Sequence, residues 1–390
     1  MSARPLDVFM IAGEDSGDQL GAHLMDALVG LRDGGVGFRG VGGSRMEARG
    51  LASRFPMVDI ALFGLTSIIV HIPRVLRRMR EVVDEIVARP PDVLVLVDAQ
   101  GFNRRVARQV RRRRPEVPIV FYVSPSVWAW RPGRAAAMRP SVDHLLALLP
   151  FEPEVHRRLG GPPCTYVGHP ISERLADLRP DAAEAARREA KPPLVLVLPG
   201  SRGQEIRRLS PLFAEVLGRV EAGLGPIDWV LPAVPQHRSL VAETTAGWPV
   251  RPRIVDGEAA KFAAFRSARA ALACSGTVTL ELAVAGIPQV VAYRTGWLEA
   301  QIARRLITAE TAVLANLVLA EKVVPEFLQE YGTVEAVSAA LAAVIADGPE
   351  RRRQLDAFAR LERLMDFAGE EPSTRAARVV LDTVKARRGV

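Results

Sequence analysis

Short apolar runs alternate with amphipathic stretches along the first half of the chain. The runs have the length of strands and lie at residues 8–12, 93–97, 119–123 and 145–149. Uninterrupted apolar runs are typical of parallel strands buried on both faces of a sheet. Between them, residues 20–31 and 104–114 carry apolar side chains at helical spacing. The pattern predicts an α/β domain built on a parallel sheet.

A second alternation follows the turn Gly168-His169-Pro170. Its predicted strands lie at residues 194–198, 229–234, 253–255, 270–274 and 289–293. Two such series predict an α/β protein of two Rossmann-like, doubly wound domains that face a central cleft. We expect the domains at residues 1–167 and 168–365, and a C-terminal helix at 366–390 that packs back on the first domain.

The stretch at residues 65–86 is amphipathic and basic. Its apolar side chains recur at helical spacing, and Pro73 is expected near a helix start. Such a helix either lies on an anionic membrane surface or packs on the sheet of its own domain. In the first alternative, the residues that contact the membrane are Leu65, Ile68, Ile69, Ile72, Arg74, Arg77 and Arg78.

Composition narrows the possible partners. The 390 residues carry a formal charge of +8 and the pI is near 10.1, which indicates nucleic acid, anionic lipid or a phosphorylated substrate. No run of about 18 apolar residues predicts a membrane span, and the N-terminus is not typical of a signal peptide. With two cysteines, Cys164 and Cys274, we expect no disulfide framework and a reducing cytoplasm.

Residues 13–18 (GEDSGD) join the first predicted strand to a helix. The spacing is not that of a dinucleotide-binding loop, and three carboxylates would repel a pyrophosphate. Acidic side chains at this position either bind the hydroxyl groups of a sugar or cap the helix. Glu14, Ser16 and Asp18 are therefore candidate site residues.

Asp98 directly follows the apolar run at residues 93–97. A carboxylate at the end of a buried strand is partly desolvated, which raises its pKa and suits a general base. The alternative is an aspartate that caps the next turn.

Residues 122–132 (YVSPSVWAWRP) place two of the five tryptophans after a predicted strand. Ligand sites of open α/β sheets form outside the carboxyl ends of the strands. Ser124, Trp128, Trp130 and Arg131 are therefore candidate ligand contacts. The alternative is that the paired tryptophans pack in a core.

Two strand-to-helix junctions in the second half have the character of anion sites. Residues 198–205 (LPGSRGQE) offer Ser201 and Arg202, whose guanidinium can bind a phosphate beside the free N–H groups of a helix start. Residues 275–281 (SGTVTLE) add more hydroxyl and N–H groups, with a glutamate inside the helix. Together the junctions predict a nucleotide diphosphate site, and the second contributes Ser275, Gly276, Thr277 and Glu281.

Metal-binding spacings are absent from the sequence. It contains no His-Glu-x-x-His, Cys-x-x-Cys or Asp-x-Asp motif, and its histidines are scattered. No metal site is therefore predicted.

Together these segments closely resemble the lipid-A-disaccharide synthase family, glycosyltransferases of the GT-B type. The motifs that carry the resemblance are GEDSGD at 13–18, FGL at 63–65, Asp98 with Phe102-Asn103, SPSVWAWRP at 124–132, PFE at 150–152, VGHP at 167–170, LPGSR at 198–202, SGTVTLE at 275–281, Ala303-Arg304-Arg305-Leu306, and Asn316 with VPEFLQ at 324–329. One departure is that Gln100-Gly101 stand where the family commonly has Pro-Asp. The resemblance extends over nearly the whole chain.

The resemblance implies transfer of 2,3-diacylglucosamine from UDP to the 6-hydroxyl of 2,3-diacylglucosamine 1-phosphate, with inversion. It implies no metal and no cofactor, since the UDP-sugar is a substrate. It also implies a cytoplasmic protein that is peripherally bound to the anionic surface of the inner membrane of a Gram-negative bacterium, and a homodimer is an open alternative.

The resemblance also assigns roles to residues. Asp98 is expected to be the general base, with Glu14 and Asp18 as the alternatives. Arg202, helped by Ser201, Ser275 and Thr277, would stabilise the leaving UDP. Glu281 and Asn316 would hold its ribose or uracil, whereas Ser16 and residues 124–131 would line the acceptor side.

Two other functions remain open at this point. A UDP-N-acetylhexosamine epimerase of the same architecture shares the phosphate junctions but does not need the amphipathic stretch at residues 65–86. A nucleic-acid-binding protein fits the pI and the arginine run at 111–114, but the sequence has no recognisable reading helix, zinc module or RNA-binding aromatic pattern.

Overall fold

The computed structural model describes residues 4–60 and 65–388. The elements of the N-terminal part, in chain order, are β1 (Leu6–Ala12), α1 (Asp15–Gly30), β2 (Val36–Val41), α2 (Ser44–Glu47), β3 (Ala52–Ser53), α3 (Leu65–Ala88), β4 (Val93–Val97), α4 (Gln100–Arg113), β5 (Ile119–Tyr122), α5 (Arg134–Met138), β6 (His144–Ala147), α6 (Glu152–Arg158) and β7 (Cys164–Tyr166).

The remaining elements follow in the same numbering. They are α7 (Leu175–Leu178), α8 (Ala182–Glu189), β8 (Leu194–Leu198), α9 (Gly203–Leu224), β9 (Asp228–Ala233), α10 (Arg238–Thr245), β10 (Arg253–Asp256), α11 (Glu258–Ser267), β11 (Ala270–Ala273), α12 (Val278–Val284), β12 (Gln289–Tyr293), α13 (Trp297–Leu306), α14 (Leu314–Leu319), β13 (Glu326–Leu328), α15 (Val334–Ile345), α16 (Pro349–Leu364) and α17 (Pro372–Arg388).

The chain divides into two compact units. Unit 1 comprises Met1–Ser172 and Ala368–Val390, and unit 2 comprises Glu173–Phe367. The boundaries expected from the sequence, at 167/168 and 365/366, lie a few residues before these.

Unit 1 is built on a parallel sheet with the strand order β3-β2-β1-β4-β5-β6-β7. In this register Met10 of β1 is paired with Val95 of β4, and Val97 of β4 with Tyr122 of β5. The order reverses direction between β1 and β4, which is where doubly wound sheets place their ligands. Every residue of β4 is buried, because helices cover both faces of the sheet.

Two apolar clusters form these faces. On one, α1 packs with the C-terminal helix α17, whose Ala376, Ala377, Val380 and Val384 are buried in the cluster. On the other, α3 and α4 cover the sheet with side chains that include Val83 and Val106. Helix α17 is thus part of the core of unit 1, although it follows unit 2 in the sequence.

Unit 2 repeats the arrangement. Its parallel sheet has the order β10-β9-β8-β11-β12-β13, and α9 and α15 pack on one face through residues such as Phe213 and Leu341. The predicted α/β class with two doubly wound sheets is confirmed by these topologies.

Helix α4 extends the helical pattern of residues 104–114 back to Gln100, and Ala99 before it adopts the left-handed backbone conformation. One local prediction was wrong, because Pro73 lies inside α3 rather than near its start. The second half of α3 is buried against the sheet, which holds the helix together despite the hydrogen bond that a proline removes. Cys164 and Cys274 are free thiols.

Candidate active site

The loops that follow β1 and β4 contact each other at the edge of the sheet in unit 1. A Cβ atom at Gly13 would lie 2.5 Å from the Cβ of Ala99, so a side chain at position 13 would displace the β4 loop. In that loop, Asp98 and Ala99 have φ angles of 50° and 41°. Consecutive left-handed residues other than glycine are uncommon and often mark functional sites.

Asp98 is the carboxylate that this loop presents. Its side chain is partly buried, and burial raises its pKa above the ordinary value, opposed by a hydrogen bond from the backbone of Ala99. The Nδ2 of the buried Asn103 lies 3.0 Å from the carbonyl oxygen of Asp98 and 3.1 Å from that of Val97. Asn103 therefore fixes the backbone from which Asp98 projects.

Gln100 ties the β4 loop to the loop after β5. Its Nε2 donates to the carbonyl oxygen of Val123 over 2.9 Å, and the N–H of Asp98 donates to the carbonyl of Tyr122 over 2.8 Å. Gln100 thus holds the start of the tryptophan segment next to the Asp98 loop.

The acidic loop after β1 divides into exposed and structural residues. Glu14 occupies the N-cap position of α1 and is partly buried, whereas Ser16 is exposed. Asp18 is 1% exposed, and its carboxylate accepts N–H bonds from Gly43, Arg45 and Met46 over 2.8, 2.9 and 3.1 Å. The catalytic role predicted for Asp18 is therefore wrong: its oxygens hold the start of α2.

Part of the tryptophan segment is turned into a buried polar network. Ser124 is buried, and its Oγ lies 2.8 Å from Nε2 of His156. Trp128 donates its indole N–H to Glu152 over 3.2 Å, and Glu152 also accepts from the N–H groups of Leu148 and Leu149 over 3.1 and 3.0 Å. The predicted ligand contact of Ser124 is wrong, because its hydroxyl is used inside the protein.

This network contains titratable groups that the site predictions missed. Burial raises the pKa of Glu152 to about 7, although its hydrogen bonds oppose the shift. Burial lowers the pKa of His156 to about 4. The PFE motif at residues 150–152 includes Glu152, but nothing in the sequence pattern indicated that Glu152 accepts a hydrogen bond from Trp128.

Trp130 and Arg131 lie at the surface of unit 1. The guanidinium carbon of Arg131 is 4.7 Å from the centroid of the Trp130 ring, and that of Arg134 is 4.1 Å from it. Arg131 has a φ of 50°. Guanidinium groups this close to a tryptophan ring form cation–π contacts, and Arg134 was not among the predicted site residues.

Unit 2 contains a cavity of about 550 Å³ at the ends of β8, β9 and β11. This volume is in the ordinary range of small-molecule sites. Six of the predicted donor-site residues line it, namely Ser201, Arg202, Ser275, Gly276, Thr277 and Glu281. Gly200 is required in its wall, because it has a φ of 124° and a Cβ atom there would lie 2.6 Å from Glu205.

Each cation of the cavity has a carboxylate partner. Lys261 of α11 lies 2.7 Å from Glu281 and is held over the rings of Phe262 and Phe265 at 5.0 and 5.1 Å. Arg202 pairs with Glu205 over 2.9 Å, and its side chain is 77% exposed. Lys261 was missed, although it is one of few lysines among 52 lysines and arginines.

Ser275 and Asn316 are less available than predicted. Ser275 donates its hydroxyl to the carbonyl of Ala312 over 2.7 Å. Asn316 is 1% exposed: its Oδ1 accepts the N–H groups of Val323 and Val324 over 3.0 and 2.9 Å, and its Nδ2 donates to the carbonyl of Val324 over 2.9 Å. The donor contact predicted for Asn316 is wrong, since its amide fixes the segment before β13.

Helix α3 is divided between the core and the surface. Met79, Val82, Val83 and Ile86 are buried, whereas Ile72 and Leu76 are 44% and 40% exposed. The predicted contacts Leu65, Ile68 and Ile69 have side chains outside the described part, as do residues 63 and 64 of the FGL motif.

The arginines of α3 are also divided. The side chains of Arg74 and Arg77 are 53% and 64% exposed. Arg78 donates to Asp59 over 2.7 Å and lies 4.6 Å from the ring centroid of Phe55. Its predicted membrane contact is therefore wrong, because it fastens α3 to the preceding loop.

Across residues 4–60 and 65–388, no group of three or more His, Cys, Asp or Glu side chains is arranged to hold a metal ion. Within the same ranges, no helix has the length and apolar character needed to cross a membrane.

Sequence comparison identifies a family. The lipid-A-disaccharide synthetase model matches residues 8–380. The chain is 54% identical over 382 residues to the lipid-A-disaccharide synthase of Nitrobacter hamburgensis, covering 98% of this chain and 96% of the relative. It is 52% identical over 378 residues to that of Rhodopseudomonas palustris strain HaA2, covering 97% and 96%.

Solved structures are similar in fold. MurG of Acinetobacter baumannii matches with a TM-score of 0.58 at 14% identity, covering 97% of this chain and all of that one. The UDP complex of MnaA from S. aureus matches with a TM-score of 0.59 at 12% identity, covering 98% and 97%. At these identities the likeness shows the fold alone, and it confirms the predicted GT-B architecture.

Proposed function

The chain belongs to the lipid-A-disaccharide synthetase family, its function is synthesis of the lipid A disaccharide, and we propose which residues carry out the reaction. The donor is UDP-2,3-diacylglucosamine and the acceptor is 2,3-diacylglucosamine 1-phosphate. The observation that carries the donor assignment is the cavity of unit 2, where the strand ends, a helix start and two cations meet.

The diphosphate of the donor binds at the start of α9. The free N–H groups of a helix start and its positive dipole end favour a phosphate. Arg202 stands at the N-cap position of this helix, and Lys261 adds a second cation to the cavity. These groups stabilise the negative charge that develops on UDP as it leaves.

Asp98 acts as the general base. Its carboxylate takes the proton of the acceptor 6-hydroxyl while that oxygen attacks the anomeric carbon of the donor. The bond from this carbon to the UDP oxygen breaks, UDP leaves with the bonding electrons, and the configuration inverts. The raised pKa of Asp98 brings its basicity closer to what proton transfer near neutral pH requires.

Glu14 is the alternative base, since it lies in the loop that contacts the Asp98 loop. Asp18 is not, because its oxygens accept three backbone N–H groups. Since Arg202 and Lys261 provide positive charge at the leaving group, we expect turnover without a metal or a further cofactor.

We also propose that the exposed part of α3 contacts the anionic inner membrane of a Gram-negative cell from the cytoplasmic side. Ile72 and Leu76 are exposed apolar residues, and Arg74 and Arg77 beside them are exposed and basic. This combination suits a membrane surface that holds acylated substrates.

The epimerase alternative is not favoured. Its support is likeness to solved UDP-N-acetylglucosamine 2-epimerases at 9–13% identity, whereas relatives at about half identity are synthases over their full length.

The reaction is tested in detergent micelles that contain both acylated sugars. We expect disaccharide 1-phosphate and UDP to form in equal amounts, at a rate that EDTA leaves unchanged. A control without acceptor separates transfer from hydrolysis of the donor. UDP release without disaccharide, or conversion of the donor to an epimer, would overturn the proposal.

A further inference from the structure

Three arginines of unit 1, Arg104, Arg131 and Arg134, form an electrostatically coupled cluster. Arg131 and Arg134 lie close to the ring of Trp130, with guanidinium carbons 4.7 and 4.1 Å from the centroid. Arg104 comes from helix α4, and its pKa is lowered by burial and, in decreasing order, by the positive charges of Arg134, Arg108, Arg105 and Arg131.

The cluster lacks counter-charges. In the described part of the chain, Arg104, Arg131 and Arg134 form no ion pair, and the Nε of Arg104 is buried without a hydrogen-bond partner. Arginines at the other end of α4 differ: Arg111 pairs with Asp143 over 2.5 Å and Arg113 with Asp84 over 2.6 Å. The contrast lies within one helix, so it does not follow from the high arginine content.

An arrangement of this kind is unfavourable without an anion. Like charges repel, and a partly buried guanidinium has lost hydration that no carboxylate replaces. A phosphate monoester supplies two negative charges and acceptor oxygens that match the fork of a guanidinium.

The cluster shares an edge of the sheet with Asp98. Helix α4 begins at Gln100, and Gln100 links this loop to Val123 at the start of the tryptophan segment. The acceptor of the proposed reaction carries its 6-hydroxyl and its 1-phosphate on one sugar ring. A phosphate site in this region would therefore orient the hydroxyl toward the base.

We propose that Arg104, Arg131 and Arg134 bind the phosphate monoester of the acceptor glycolipid and so select a phosphorylated acceptor. The inference rests on the proposed function for the identity of the ligand. Phosphate oxygens are also offered by free phosphate and, as a singly charged diester, by the headgroup of an anionic phospholipid, and the experiment separates these sources.

The kinetic test compares Arg104→Gln and Arg134→Gln with Arg113→Gln, which removes the same charge from the paired end of α4. With 2,3-diacylglucosamine 1-phosphate, we expect KM to rise roughly 10- to 100-fold in the first two variants and to stay unchanged in the third. With the dephosphorylated acceptor, the wild type and all three variants should have similar KM values. An equal loss with both acceptors would show a structural effect and overturn the proposal.

The binding test needs no turnover. Without donor, the protein is titrated with micelles of 2,3-diacylglucosamine 1-phosphate, with phosphatidylglycerol vesicles, and with inorganic phosphate. The signal is the fluorescence of Trp130, which is the part of the emission that Trp130→Phe removes. A response to the glycosyl phosphate at the lowest concentration, weakened in Arg104→Gln, supports the proposal even if the proposed reaction fails. An equal response to phosphatidylglycerol or to inorganic phosphate overturns it.

Discussion

The cavity of unit 2 and the arginine cluster of unit 1 differ in whether their cations have carboxylate partners. In the cavity, Lys261 and Arg202 are each paired with a glutamate. In the cluster, Arg104 has a buried nitrogen without a hydrogen-bond partner, and burial and the positive charges of other arginines lower its pKa. The two cations of the cavity are therefore paired within the protein, whereas the proposed ligand supplies the counter-charge of the cluster.

The difference fits the two substrates. Both products leave in each turnover, but only UDP takes part in bond breaking, and a wall with paired charges remains stable when UDP departs. The acceptor phosphate takes no part in bond breaking, so its site needs strong fixed charge for orientation. Variants that impair the function of one unit and leave that of the other unchanged test this difference.

The largest effect is expected from Asp98→Asn. Loss of a general base lowers kcat by about 1,000-fold, while UDP affinity stays unchanged because its site lies in unit 2. In the wild type, kcat/KM should fall as pH falls through a pKa above the ordinary 3.8 of aspartate, since burial raises that of Asp98. Single-turnover rates measure the loss in the variant, UDP titration measures its donor-site affinity, and initial rates across pH give the wild-type profile.

Asp26→Asn is the matched control for this variant, because Asp26 is an exposed residue of α1 paired with Arg49. A wild-type rate for Asp98→Asn would remove this residue from the mechanism and direct attention to Glu14.

Asn316→Ala should affect stability more than donor binding. The substitution leaves the buried N–H groups of Val323 and Val324 without an acceptor, which costs about 3 kcal/mol. Denaturant unfolding and UDP titration distinguish the two roles. A stable Asn316→Ala protein with weakened UDP binding would restore the donor role that the sequence suggested.

The misassignments share one cause. The strand Val93–Val97 and the position of Asp98 were predictable, because a five-residue apolar run is a local signal. Asn316 and Asp18 are polar residues at strand or helix ends as well, but their partners are backbone N–H groups of segments whose proximity arises from folding. For Asp18 these lie 25 to 28 residues away. Sequence pattern locates a polar group, and tertiary structure decides whether its atoms are available.

Strand β2 and Lys261 were not identified from the sequence, because neither has a local signal of its role. Strand β2 (Val36–Val41) is an edge-side strand with two glycines and an arginine, so it lacks the apolar run of β4. Lys261 reaches the donor cavity from α11, a helix without any phosphate motif. Its contribution becomes visible when the ends of β8, β9 and β11 meet.

Lys261→Gln tests the paired cation of the cavity. Loss of a charge-assisted contact to the diphosphate should weaken UDP binding roughly 10-fold, and the binding of glycosyl phosphate micelles to unit 1 should not change. Isothermal titration with UDP measures the effect. Lys322→Gln removes the same charge from an exposed position of unit 2 and should bind UDP as the wild type does. Unchanged UDP affinity in Lys261→Gln would mean that its pairing with Glu281 serves stability alone.

The smallest effect concerns Glu152, a carboxylate of unit 1 that is buried rather than paired with a cation. Its pKa is about 7 in the folded protein, above the unfolded value, so its contribution to stability is present at low pH and is lost as pH rises through 7. Between pH 6 and pH 8, the free energy of unfolding of the wild type relative to Glu152→Gln should fall by about 1.4 kcal/mol. His156 contributes equally to both proteins and cancels from the difference.

Glu154→Gln, at an exposed position of the same helix, is the control. Its free energy of unfolding should change with pH as that of the wild type does, because Arg157 lowers the pKa of Glu154 and Glu154 remains ionised throughout this range. If the free energies of unfolding of Glu152→Gln and the wild type instead changed in parallel with pH, the carboxyl of Glu152 would be open to solvent. The arginine cluster would then be the remaining example in this comparison of buried charge without a partner in unit 1.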